Sequence, residues 1–405
     1  MSPLEGFRGR LHGCLTRLWH DVSVEVCIGL ASVWYVIAGF IALWLILYLA
    51  FRGKGGRRVE FLPVGVIVRA GISLEPIDGP RALPWRILGL VGIFLMAYMA
   101  FVFFRFVVVM FASKYLGYQS AAPVEGGVMP LIPGVTIPWS DMPYVVVAIG
   151  IAALVHELAH AFVARAEGMR VKDAGVAFFL FFPAAFVEPD EDELKKAPLL
   201  SRLKVYAAGI TANYILFLVL SFIFTMLLPH IAAGVGVVSV SPDSPAYRAG
   251  IQEGDIIVSV NGTPVRTAED LRDVLTNLGF YDNTTSVSTV VTVLRGGEEL
   301  ALEVHKRPGD YALGVSIVQV YDPQWLGVTL YSTILFNLVL AAVNAAPMAI
   351  PLPGGLLLTD GGHALRDVLA RAGGRRGEML ALGLSVLVFL MLLSLMTLTP
   401  IRLTP

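Results

Sequence analysis

Six runs of about 20 predominantly apolar residues, at 27–51, 87–112, 144–165, 205–228, 326–346 and 379–398, decide what this chain can fold into. A helix of that length matches the hydrocarbon core of a bilayer, where every backbone N–H and C=O must be bonded within the segment. The expected fold class is a polytopic α-helical membrane protein with about six transmembrane helices. Composition agrees: 56% of the 405 residues are hydrophobic, 15% are charged, and the mean hydropathy is +0.73. A net charge of −1 without a basic arm excludes a nucleic-acid partner. Cys14 and Cys27 match no metal or disulfide spacing. The first run is too long and starts too late for a cleaved signal peptide, so it reads as an uncleaved anchor.

Residues 234–307, between the fourth and fifth runs, have a different character. Short β-rich stretches (GVGVVSV, DIIVSV, VSTVVTVL) alternate with turn signals (SPDSP, NG, RGGEE), the pattern of a small soluble α+β domain inserted into a membrane chain. The expected organisation is a tail at 1–26, two transmembrane helices with a basic loop at 27–142, a first core half at 143–232, the inserted domain at 233–310, and a second core half with the last helix at 311–405. Loops 52–86 and 165–204 carry 7 Lys and Arg each and 366–376 carries 4, whereas 113–143 carries only Lys114. The positive-inside rule puts the three basic loops in the cytoplasm, with the inserted domain on the extracytoplasmic side.

The third run contains VHELAHAF, starting at Val155. His156 lies about 18 Å along a helix from Tyr144, near or past mid-bilayer, where an unpaired charged group costs several kcal/mol. His156 and His160 are four residues apart, so one helix face presents both imidazoles, with Glu157 beside them. A shared divalent metal would make ligands of both rings and offset their burial. The bland alternative, two helix histidines satisfied by neighbouring side chains, is rare at this depth. Hydrolytic zinc sites usually have three protein ligands and an open position. His12, His20, His230 and His305 fall on the far side of the membrane or outside it. That leaves LLLTDGGHAL, after the fifth run, with Asp360 as the favoured third ligand and His363 as an alternative. An N-cap opening a cytoplasmic helix would also account for Asp360.

Taken together, these stretches resemble the site-2 protease family of intramembrane zinc metalloproteases. The likeness runs from about Tyr144 onward and rests on HELAH, AAGITAN at 207–213, NAAP at 344–347, DGG from Asp360 and the AFVEPDE loop. It implies that His156, His160 and Asp360 bind Zn2+, that Glu157 is the general base, and that Asn344 contacts the substrate or oxyanion near the scissile bond. Two departures stand out. Ile210 occupies the family's usual proline position, and MAIPLPGGLLLT separates Pro347 from Asp360. The second predicts a re-entrant or extended segment over the site, tolerated only where protein or a cavity covers its backbone.

The inserted domain resembles a PDZ domain through SPAYRAGIQEGDIIVSVNGTPV. Such domains add a peptide end to a sheet edge, which makes GVGVVSV the expected groove strand and Gly236 and Val237 the expected contacts. A β-rich spacer without a ligand is the alternative. The Phe-rich run 175–187 is too short to span and predicts membrane-associated strands or a re-entrant loop, whose edge could hold an unwound substrate. The five acidic groups in 188–193 read as a solvated loop. The expected function is hydrolysis of peptide bonds within or near transmembrane segments, with transmembrane proteins as substrates and membrane lipid as the surroundings. Zinc would polarise the scissile carbonyl and acidify a water, and Glu157 would carry its proton to the leaving amine. Two other classes compete: a catalytically inert adaptor presenting the PDZ domain, and a metal transporter. The complete set His156, Glu157, His160 and Asp360 argues against the first. The lack of acidic or histidine residues in the first, second and sixth runs argues against the second.

Overall fold

The computed structural model describes residues 38–51, 58–118, 128–179, 182–310, 312–352 and 355–397. The tail and the first part of the first expected span lie outside the described residues. In chain order, α1 (Ala38–Phe51), β1 (Val59–Leu62) and β2 (Gly65–Arg69) precede the long helices α2 (Leu83–Leu116) and α3 (Met142–Ala166). β3 (Val171–Phe179), β4 (Phe182–Pro189) and the short α4 (Glu191–Lys196) lead into α5 (Leu199–Ile231). The inserted domain contains β5 (Ala232–Val240), α6 (Pro245–Ala249), β6 (Ile256–Val260), β7 (Thr263–Pro264), α7 (Ala268–Asn277), β8 (Val287–Arg295), β9 (Glu298–Lys306) and β10 (Val315–Tyr321). The chain then returns through α8 (Gln324–Ala345), β11 (Ala349–Leu352), β12 (Gly355–Leu358) and α9 (Asp360–Ser394).

Among the described residues, five helices are long and apolar enough to cross a membrane: α2, α3, α5, α8 and α9. α9 is two helical arms meeting at Gly374, whose φ of 56° and ψ of −140° suit glycine. Its second arm holds the sixth expected span. Lipid gives helices no hydrophobic reason to associate, so the bundle packs through small residues. Gly92 of α2 lies so close to α5 that an added Cβ would sit 3.2 Å from the Ala207 carbonyl and nearer still to Thr211. Ile210, at the departed proline position, is fully buried with Tyr206, Ala207, Ala341 and Ala345.

The basic loop 52–86 does more than mark a side: its β1 and β2 join β3 and β4 in an antiparallel sheet of order β1-β2-β3-β4. Within run 175–187, residues 175–179 and 182–187 therefore lie in strands, one of the two expected forms. β4 is an edge strand, and it lies along α3. The acidic loop turns into the α4 cap, with Asp190 accepting from the N–H groups of Asp192 and Glu193 and pairing with Lys172.

The stretch between Pro347 and Asp360 is a β-hairpin in which Ala349 pairs with Leu358 and Ile350 with Leu357. This pairing satisfies backbone groups that an irregular loop would leave bare. Thr359 locks it. Its hydroxyl donates to the Ala346 carbonyl (2.6 Å) and accepts from the Met348 and Gly362 N–H groups. Thr359, not Asp360, is thus the N-cap of α9.

The inserted domain has the sheet order β10-β5-β6-β8-β9, with β7 on β6, around a core that includes Val237, Ile257, Leu271 and Phe280. β10 lies beyond the boundary expected at residue 310, so the PDZ-like unit runs on to Tyr321. This also corrects the expected groove. β5 is paired on both sides: Gly236 faces Val318 on one side and Ile256 on the other, and Val237 is fully buried with its N–H on the Asp255 carbonyl. Gly236 and Val237 have no free edge to offer. The edge strand on that side of β5 is β10, beside α7.

Candidate metal centre

The site is built where α3, α5 and α9 meet. His156 and His160 project from one face of α3, and Asp360 arrives from the first residue of α9. The Asp360 Oδ2 atom lies 3.1 Å from His156 Nε2 and 3.4 Å from His160 Nε2. One ligand atom from each residue falls within a 4.8 Å group. His363, the alternative, is outside that group; its ring stacks on Tyr206 with centroids 5.5 Å apart.

The donor set fits a divalent ion on three counts. Two imidazole nitrogens and one carboxylate oxygen are the ligand types of catalytic zinc sites. The His160 Nδ1 atom is 2.7 Å from the Val205 carbonyl oxygen, so the ring carries a proton there, which would leave Nε2 as the ligand atom for an ion. Both Nε2 atoms also face the same carboxylate oxygen.

α5 runs antiparallel to α3 and meets it in a strip of residues four apart. Val205 touches His160, Gly209 lies under the ring of His156, and the Asn213 side-chain N–H donates to the Ala152 carbonyl (3.2 Å). A Cβ on Gly209 would come within 2.5–2.6 Å of three His156 ring atoms. Sequence reading singled out AAGITAN but assigned neither residue a task; the signal was a glycine and an asparagine one turn apart in an apolar helix.

Glu157 lies on the same cavity, and its Oε2 accepts from the Val187 N–H of β4 at 2.9 Å. The edge strand thus reaches the site. The cavity has a volume of about 520 Å³ and is lined by the two histidines, Glu157, Asp360 and Asn344. Asn344 steadies itself by donating to the Leu340 carbonyl (3.0 Å). Glu191, Lys195, Arg202 and Arg366 also line the cavity, a charged rim at the end of the bundle away from the PDZ-like domain. Val205 and Ile231 are about 39 Å apart along α5, so the metal group lies near one polar boundary of the membrane-spanning bundle.

The rim has its own scaffold. Asp367, buried on α9, accepts from Tyr206 (3.0 Å) and pairs with Arg202 (3.2 Å) and Arg366 (3.1 Å). Beyond the membrane-spanning segments, the N–H groups of Glu193 and Asp192, with Lys172, hold the Asp190 carboxyl below its ordinary value against the effect of desolvation.

Residues 144–395 match the family model described as Peptidase family M50. An uncharacterized protein of Methanocaldococcus jannaschii is 28% identical over 332 residues, which cover 78% of this chain and 81% of that protein. A membrane-bound transcription factor site-2 protease homolog of Arabidopsis thaliana is 31% identical over 161 residues, 38% of this chain and 31% of that protein. The chain thus spans about a third of the length of that plant protein. A solved HtrA3 PDZ domain bound to a phage-derived ligand (FGRWV) is 29% identical, covering 23% of this chain and 76% of its own, with a TM-score of 0.15. The family match takes in more than half of the chain and reaches from the HELAH helix, through Asn344 and Asp360, to the last helix, so the chain belongs to peptidase family M50.

Proposed function

We propose that this protein is an intramembrane zinc endopeptidase that hydrolyses peptide bonds within or next to the transmembrane segments of membrane proteins. The observation that carries this reading is the convergence of His156, His160 and Asp360 on one point, with Glu157 on the same cavity at the polar end of a transmembrane bundle. His156, His160 and Asp360 would hold the ion. Bound zinc supplies Lewis-acid chemistry, polarising a carbonyl and acidifying water.

The chain's own residues do the rest. Glu157 is the general base: one carboxylate oxygen is fixed by the Val187 N–H, which leaves the other to take a proton and return it to the leaving amine. Asn344 contacts the substrate beside the scissile bond. A helical substrate hides its carbonyls in hydrogen bonds, so the cut segment must unwind, and the edge of β4 beside Glu157 can pair with it as an added strand. The charged rim admits water, and its basic residues favour a cytoplasmic position for the site by the positive-inside rule, with the PDZ-like domain outside. There, the free edge of β10 beside α7 is the place for a peptide end.

Two variants test the reading. Elemental mass spectrometry should find about one zinc per chain in the detergent-purified wild type and none in His160→Ala. Glu157→Gln should keep its zinc and lose 10²- to 10⁴-fold of the cleavage rate on a reconstituted transmembrane substrate. A metal-free wild type, or an unimpaired Glu157→Gln, refutes it.

A further inference from the structure

The two histidines of the centre are not supported alike. His160 has the Val205 carbonyl at Nδ1, whereas His156 Nδ1 is buried and bonds to nothing among the described residues. One turn further along the same strip, Asn213 is completely buried, and its Oδ1 also has no partner. The orientation of that amide follows from its neighbour. The Ala152 carbonyl can only accept, so the nitrogen must face it and Oδ1 is left as a lone acceptor. Side chains on a helix lean toward its N-terminus, so Asn213 leans toward Gly209, on which the His156 ring lies. Two unsatisfied buried groups, an acceptor and a ring nitrogen, stand one helical turn apart on facing helices. Leaving both groups unpaired is costly, and a single buried water can satisfy both.

We propose that Asn213 is a positioning residue of the metal centre: through one buried water its Oδ1 accepts the Nδ1–H of His156 and fixes that ring with the Nε2 lone pair toward Asp360. This rests on the metal reading above. A histidine that lends Nε2 to an ion carries its proton on Nδ1, and that proton needs an acceptor. Val205 supplies one to His160, and Asn213 supplies one to His156.

The test compares full-length Asn213→Ala, Asn213→Asp and Asn337→Ala with the wild type, by zinc retention in a chelator competition and by the visible spectrum of the Co2+-loaded protein. Asn337, on α8, is a second fully buried asparagine with an unpartnered Oδ1 and no place in the strip, so it controls for loss of buried polarity alone. Asn213→Ala should bind zinc about 10- to 100-fold more weakly and alter the Co2+ bands. Asn213→Asp, which keeps an acceptor, and Asn337→Ala should both stay within about threefold of wild type. Unchanged zinc affinity in Asn213→Ala, or an equal loss in Asn337→Ala, overturns the proposal. A measurement on the wild type covers the case in which Asn213→Ala does not fold. ¹⁵N-histidine spectra of the zinc-loaded protein should show a protonated, hydrogen-bonded Nδ1 on His156, and an unprotonated Nδ1 overturns the proposal. A wild type that takes up no metal fails the metal reading itself, whereas metal in the wild type with an indifferent Asn213 fails this inference alone.

Discussion

Gly209→Ala tests the packing of the centre with a single methyl group. The added Cβ would lie 2.5–2.6 Å from Cε1, Nδ1 and Nε2 of His156. Ordinary contact between such atoms is about 3.5 Å, so ring and helix must part by about 1 Å. Neither has room to yield, since His156 is buried and α5 is packed against α2 and α8. Metal–ligand distances tolerate only about 0.2 Å, so a retreat of about 1 Å would remove His156 from the proposed ligand set. Zinc affinity should fall by at least about 100-fold, and cleavage by a similar factor. Global stability should change far less. Overpacking costs about 1–3 kcal/mol, and replacing a mid-helix glycine by alanine returns up to about 1 kcal/mol. The assay is zinc retention against a chelator, read alongside thermal unfolding in detergent. Gly383→Ala, where nothing lies within 4 Å of the added Cβ, is the control and should keep wild-type zinc. A Gly209→Ala protein with wild-type zinc affinity would refute the reasoning, because the ring could not then rest on that glycine.

Thr359→Ala should destabilise the protein by about 1 kcal/mol or more, since it removes the α9 cap together with the bond that closes the hairpin, and Thr359→Ser should recover most of the loss in thermal unfolding. Asp190 titrates below its ordinary value of about 3.9, so its contribution to the α4 cap is complete above that pH and is lost as pH falls through the folded pKa. Protection of the Asp192 and Glu193 amides, taken relative to their intrinsic exchange rates, should be full at neutral pH and fall only in strong acid; a fall already at pH 6 contradicts the cap. Stripping the ion with a chelator should lower the melting temperature by mass action alone, worth about 4 kcal/mol at a thousandfold excess of metal over Kd, with the helical circular dichroism retained. Loss of the helical signal on chelation would contradict a prebuilt site.

Five of the six expected spans, and the three residues that converge in the candidate centre, were legible in the sequence because both signals are local or motif-bound: twenty apolar residues in a row, two histidines four apart, an aspartate in DGG. What stayed hidden depends on partners distant in the chain. β1 and β2 lie in a loop whose charges dominate its pattern, and β2 becomes a strand against residues more than 100 positions away, such as Val66 opposite Phe178. Val205 acts through its carbonyl, which no side-chain pattern reveals. The groove strand was misplaced for a related reason. GVGVVSV and VSIVQVY read alike as strands, and which one has a free edge is decided by the sheet order, in which β10, last in the sequence, closes beside β5. Asp360 stood out in the sequence as a candidate ligand, and only the fold separates it from a cap, because Thr359 holds that role.

The placement of charge in this bundle follows from the cost of leaving it unpaired. In a largely buried site an unpaired carboxylate or imidazolium is expensive, and Asp360, His160 and Glu157 each have a protein partner without any ion. Asp360 lies against both Nε2 atoms, His160 is held by Val205, and Glu157 by the Val187 N–H of the sheet. These contacts hold the side chains in the positions that coordination would need, so the ion would enter a formed site rather than order one. The same contacts explain why the sheet belongs to the centre. Without the Val187 N–H, Glu157 would face the cavity with no fixed direction. The strand that orients the candidate base is also the strand whose edge a substrate can join, so a peptide paired along β4 would run past Glu157.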